Sequence, residues 1–209
     1  MTTNALIDLT QDRALLAALY APKKGDFSQV DVPALPFAIL DGEGMPNEQI
    51  VGSAVEALYT AIYPIRREAR ERMGKAFVEP PLEILYWADD MSDLAAGRRE
   101  KWKWRVQITL PVWADAERLR ASVLEMHPEL GEAISPRWEA TAEGKCVQYL
   151  HVGHMEEIST VLAGLYGEYL PQEGLEPDGP YHEIYLDDFN RVAPVKRKIV
   201  VRQPVRQIT

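Results

Sequence analysis

Glu183 sits in the segment Tyr181-His182-Glu183-Ile184-Tyr185. A carboxylate walled by tyrosine and tryptophan rings loses hydration, which disfavours the anion and moves its pKa toward neutrality. Such a group can take a proton from water near pH 7 or deliver one to a leaving oxygen. On the residues alone the other reading is favoured, in which Glu183 is an exposed strand residue paired with Arg202 or Lys198.

Aromatic residues form the second set. Tyr59 and Tyr63 are four apart, so on one helix both hydroxyls point the same way and could edge one pocket. A tyrosine hydroxyl can hydrogen-bond a developing phenolate or orient a water, and ordinary ring packing is the alternative for either residue. Trp87, Trp102 and Trp104 lie on two predicted strands, with Trp102 and Trp104 two apart on one face. Flat aromatic walls suit planar polycyclic ligands, while plain core burial is expected for at least two of the five tryptophans.

Other patterns point away from familiar chemistries. His151 and His154 form an H-x-x-H, which on a strand sends the rings to opposite faces, although Gly153 could turn the chain; no metal is expected there. Ser53 lies in Val-Gly-Ser-Ala-Val, not in a nucleophile elbow. The Asp-Gly-Glu-Gly at 41–44 lacks a full phosphate-binding pattern and reads as a turn. Cys146 reads as strand packing rather than a nucleophile. No cofactor is expected.

The elements that must position these residues follow from periodicity. Residues 12–20 read as a short helix, stopped by Pro22 and Gly25. Residues 29–32 and 36–41 read as extended, followed by a turn over 41–47 whose Asn47 can cap a helix. Val51, Val55, Leu58, Ile62 and Ile65 form one apolar stripe and predict a helix over 48–73, with a kink or break at Pro64. Strands are predicted at 82–90, after a double-proline stop, and at 101–113, the latter with Trp102, Trp104, Val106, Ile108 and Leu110 on one face. Asp115 caps a helix predicted over 115–130. Then come a strand at 145–153, a helix over about 155–170, a loop at 174–180, a strand at 181–188 and a last strand at 196–205. Arg66, Arg67, Arg70 and Arg72 complement the dipole at a helix end.

The halves repeat as strand, glycine turn, helix, strand, strand, with Glu83-Ile84 echoed at Glu183-Ile184 and Leu110-Pro111-Val112 at Gln203-Pro204-Val205. The fold expected is α+β, a pseudo-symmetric pair of βαββ modules with a ligand groove between them. Its segments are an N-terminal helical segment over 1–28, a first module over 29–114, a connecting helix and loop over 115–140, and a second module over 141–209.

Composition bounds the rest. The 209 residues are 46% hydrophobic and 26% charged, which excludes a disordered or fibrous chain. The net charge of −9 argues against a nucleic-acid partner. No run of 18 apolar residues is present and the N-terminus has no basic-then-apolar leader, so neither a membrane nor secretion is expected. A single cysteine fits a reducing, cytoplasmic setting. Residues 115–190 hold 16 acidic and 4 basic residues, whereas 191–209 hold six basic and no acidic ones. The late-strand cations are expected on a solvated face.

Three stretches carry a family likeness: Leu19 to Asn47 (LYAPKKGDFSQVDVPALPFAILDGEGMPN), the strand CVQYLHVG, and HEIYLDDFNRVAPVKRKIVVRQPV. With these the chain resembles the GyrI-like small-molecule-binding proteins, in their stand-alone form, from about residue 17 to 206. The resemblance implies two βαββ (SHS2-type) modules around a ligand groove. It places a functional glutamate at Glu183 and favours a tyrosine at Tyr63. It puts ligand contacts at Tyr59, Trp87, Trp104, Trp102, Tyr185 and the turn after Gly153, where this chain has His154 and Met155 instead of a small residue and a tyrosine.

Some stand-alone members of that family are cyclopropanoid cyclopropyl hydrolases, which add water across the strained ring of DNA-alkylating natural products and so detoxify them. The function implied here is that reaction, with Glu183 and Tyr63 catalytic. The alternative is a non-catalytic multidrug-binding or sensing domain. The partner expected is a planar apolar or cationic small molecule, and the protein is expected as monomer or homodimer. A modulator of a topoisomerase rests on the family name alone.

Overall fold

The computed structural model describes residues 6–9, 11–90, 93, 97–128 and 135–208. Its helices and antiparallel strands make the α+β class predicted from the sequence. The chain divides into two units that interleave in sequence. One comprises 1–12, 34–80 and 86–141; the other comprises 13–33, 81–85 and 142–209.

In the first unit, β2 (Leu35–Glu43) lies between β4 (Lys103–Thr109) and β5 (Arg137–Thr141), both antiparallel to it. The alternation predicted for β4 holds: Trp104, Val106, Ile108 and Leu110 are buried, and Trp102 is half-buried. Gly42 opposes Trp104 in the register, and the indole lies where a β-carbon on residue 42 would stand, so only glycine fits there.

Helix α2 (Glu48–Ala61) starts at Asn47, whose side chain accepts from the Ile50 N–H at 2.9 Å. The single helix predicted over 48–73 breaks at Ile62. Pro64 lacks an N–H and fits the first turn of a new helix, α3 (Tyr63–Met73). Asp115 caps α4 (Ala116–Met126), accepting from the Arg118 N–H at 2.9 Å. That helix ends four residues before the predicted 130, and positions 129 and 130 lie outside the described residues. Leu58, Ile62, Ile65 and Leu119 bury their side chains, and Ser122 of α4 donates to the Ala61 carbonyl at 2.6 Å.

Two further sequence expectations are corrected. Residues 137–141 read as connecting loop and are β5; its five residues show no clean apolar alternation. The turn expected from residue 41 begins later, because β2 continues to Glu43.

The second unit holds a sheet ordered β1 (Ser28–Val32), β6 (Gly144–Val152), β9 (Lys198–Gln207), β8 (Tyr181–Tyr185) and β3, which spans Leu82–Trp87 with its first four residues in this unit. A three-residue strand, β7 (Leu175–Pro177), pairs with β9 inside what the sequence presented as the loop 174–180.

Strand alternation splits this sheet into two faces. Val147 and Val205 pack against Leu165, Leu170 and Leu175 on one face. This apolar cluster comes partly from the helical segment formed by α5 (Ile158–Gly164), a π turn (Leu165–Tyr169) and α6 (Leu170–Glu173). The widened turn ends two residues before Pro171, which has no N–H to give the preceding turn. The other face meets α1 (Arg13–Tyr20): Gln148 donates to the Ala18 carbonyl at 2.7 Å and Arg202 to the Leu19 carbonyl at 2.7 Å.

Arg202 corrects the expectation of a solvated basic tail. It is 1% exposed, in a buried stretch of β9. No helix among the described residues is long and apolar enough to cross a membrane.

Candidate functional site

Strand β8 puts different chemistry on its two faces. Tyr181, Glu183 and Tyr185 share one face because side chains on a strand repeat every second residue. The Tyr181 hydroxyl donates to Glu183 Oε1 at 2.7 Å, and the Tyr185 hydroxyl donates to Oε2. Glu183 is half-buried and opposes Val201 in the register. The sequence alternative of a pairing with Arg202 fails on geometry. Arg202 opposes His182, and its guanidinium is engaged with Glu143, Gln148 and the Leu19 carbonyl on the opposite face. A carboxylate that accepts two phenolic hydrogen bonds is oriented at both oxygens, and charge-assisted bonds of this kind are the stronger sort. Tyr181 was not singled out from the sequence, although its i−2 position on a predicted strand was the signal available.

On the same side of β9, Gln203 is fully buried. It accepts from the Tyr166 hydroxyl at 2.7 Å and donates to the Gly179 carbonyl at 3.0 Å. Burial of the Tyr166 hydroxyl pushes its pKa up and keeps it a neutral donor.

The opposite face of β8 carries His182, which is completely buried. Its Nδ1 lies 2.9 Å from Glu143 Oε1 and its Nε2 lies 3.2 Å from Glu83 Oε2. Tyr20 donates to Glu83 Oε1 at 2.5 Å, and Arg202 Nη1 donates to Glu143 Oε2 at 3.1 Å. Burial disfavours the Glu143 anion, but His182 and then Arg202 outweigh it and hold that carboxyl down at about 2. Burial also disfavours charge on His182, yet Glu143 and then Glu83 push it up to about 9. The ring is therefore an imidazolium at pH 7, and two carboxylates balance two cations inside the unit. The partners come from residues far apart in sequence, so no local motif announced them.

The other predicted site residues are placed as follows. Tyr59 and Tyr63 are not on one helix, because the break at Ile62 separates them and removes the i, i+4 argument. Tyr59 is half-buried beneath the Arg66 guanidinium, 5.1 Å from the ring centre. Tyr63 is 47% exposed. Trp104 is buried against Gly42, a core position. Trp87 is half-buried at the end of β3.

Trp102 meets Tyr86 edge-on with ring centres 5.9 Å apart. It borders a cavity of about 280 Å³ that also touches Glu43, Asp89 and Glu100. His154 is exposed, and its carbonyl accepts from His151 Nε2 at 2.8 Å. The two histidines of the H-x-x-H thus meet through a backbone carbonyl. Cys146 is buried, and burial with neighbouring Glu143 pushes its thiol up, which disfavours the nucleophilic thiolate.

Comparison with known proteins adds to this geometry. The family model described as the GyrI-like small molecule binding domain matches residues 25–204. A structure described as an uncharacterized conserved protein from Listeria innocua is 30% identical with a TM-score of 0.75, covering 90% of this chain and 95% of that one. A structure described as a hydrolase from Listeria innocua is 28% identical with a TM-score of 0.73, covering 97% of this chain and all of the other. The C-terminal domain of EcmrR shares the fold at 10% identity and a TM-score of 0.54, covering 87% and 98%. No match is found among curated proteins.

Proposed function

Because the chain belongs to the GyrI-like small-molecule-binding domain family, we propose that it is a detoxifying hydrolase that adds water across the cyclopropane ring of DNA-alkylating natural products. The observation that carries this reading is the Glu183 carboxylate, half-buried and held at both oxygens by Tyr181 and Tyr185. A carboxylate fixed in this way presents a defined acceptor to a water, which general-base chemistry requires. The hydrolase description of Listeria innocua relatives at 28% and 29% identity agrees with it.

In the step proposed, Glu183 accepts a proton from water as the water oxygen bonds to a cyclopropane carbon. The strained C–C bond breaks, and its electron pair is drawn into the conjugated carbonyl, which becomes a phenolate.

The test is mass spectrometry of a cyclopropane-containing alkylator incubated with wild type and with Glu183→Gln. Wild type is expected to yield the adduct of one water. The variant should be slower by roughly a hundredfold or more, the range in which a positioned base contributes. Equal rates would remove Glu183 from the mechanism.

One observation favours a second reading as a binding or sensing module. A carboxylate beside two phenol rings also suits a planar cation without any chemistry. Saturable quenching of tryptophan fluorescence by such compounds, with no product formed, would establish that reading instead.

A further inference from the structure

His182 and Glu183 are consecutive residues with opposite tasks. Among the described residues Glu83 on β3 and Glu143 between β5 and β6 face His182; Tyr20 on α1 donates to Glu83, and Arg202 on β9 donates to Glu143 and to Gln148 on β6. Glu83 and Glu143 supply two negative charges, and Arg202 supplies one positive charge. The enclosure is neutral only when the imidazole carries a proton, and a buried uncompensated charge is among the costliest defects a fold can hold.

We infer that His182 is a positioning residue for Glu183: bridging Glu83 and Glu143, its charged ring fixes the place and rotation of β8, and so the direction in which the next side chain meets ligand. The argument is geometric. The two ring nitrogens reach carboxylates on separate elements, 3.2 and 2.9 Å away, so the ring cannot move without stretching one contact. Glu183 shares a peptide bond with that residue, and its carboxylate accepts from Tyr181 and Tyr185 of the same strand. Displacing the strand therefore carries all three ligand-side groups together. The charged state that the clamp needs agrees with the pKa of about 9 set by the two carboxylates.

The inference rests on reading Glu183 as the ligand-facing carboxylate, and its test separates the two claims. Protein labelled with carbon-13 at the histidine ring and at the tyrosine Cζ is titrated by NMR, with Tyr181→Phe and Tyr185→Phe used to assign signals. His182 is expected to be charged at pH 7 and to deprotonate in the alkaline range. The Tyr181 and Tyr185 signals should move with the same midpoint, and in His182→Gln that step should vanish. In turnover assays His182→Gln is expected to lower kcat by roughly tenfold to a hundredfold, as displaced catalytic groups do, with KM little changed and the alkaline limb absent.

Tyrosine signals that ignore the His182 titration would overturn the inference, and this readout needs no variant that might fail to fold. A wild type that shows the linked step yet neither binds nor converts ligand would instead overturn the functional reading while upholding the clamp.

Discussion

At the scale of single residues, the account turns on how Glu183 is held. Two tyrosine hydroxyls orient it, and each is removable without disturbing the ring. A hydrogen bond to a charged group contributes about 1.5–3 kcal/mol. Tyr181→Phe and Tyr185→Phe are therefore each expected to weaken turnover or ligand affinity by roughly tenfold or more. Both proteins should unfold near the wild-type temperature, because the lost hydroxyls face a half-buried site. Circular dichroism melts and fluorescence titration check this, and unchanged affinity in both variants would show that the tyrosines serve packing alone. Glu183 was singled out through the family likeness of its strand, since on the residues alone an exposed ion-paired carboxylate was the favoured reading. Arg202 was misread because a charged residue on a late strand is ordinarily solvated. The signal that could have corrected this is its neighbourhood, Ile199-Val200-Val201 on one side and Pro204-Val205 on the other.

At the scale of elements, local signals were read well. Asn47 and Asp115 cap the helices they were expected to cap, and Pro64 ends one helix and opens the next. These features depend on interactions within four residues. Strands β5 and β7 were missed because five- and three-residue edge strands carry too little alternation to show a period. The buried clamp was invisible for a related reason: its members sit on α1, β3, β8 and β9 and before β6, and only the pairing register assembles them.

That clamp makes unfolding pH-dependent. His182 has a folded pKa raised to about 9 from an ordinary value of 6.5, so its stabilisation is complete below about 6.5 and is lost as pH rises through about 9. The gap corresponds to roughly 3 kcal/mol. Glu143, lowered from 4.5 to about 2, stabilises above about 4.5 and loses that contribution as pH falls toward 2. The two share one interaction, so their contributions do not add. Urea midpoints measured from pH 6 to 10 are expected to fall on the alkaline side in wild type and far less in His182→Gln. Parallel curves would contradict the assignment.

At the scale of the whole molecule, the mixed α+β class and the family were legible from periodicity and from the HEIYL-type strand. The contact units of the structure interleave along the chain: residues 13–33 and 81–85 join 142–209 rather than their sequence neighbours. A reading that runs along the chain cannot see such exchanges, since they are set by pairings such as β1 with β6, more than a hundred residues apart. Of the predicted site, the carboxylate and Tyr185 come together. Trp104 goes to the core, and Tyr59 and Tyr63 part at the helix break.

The central claim is that Glu183 faces the ligand, and the most direct measurement is a crystal structure of the protein with a planar cationic aromatic compound. The account predicts ligand density with atoms within about 4 Å of the Glu183 carboxylate, the range of direct contact, and the Tyr181 and Tyr185 rings against it. A compound bound elsewhere, with this carboxylate untouched, would contradict it.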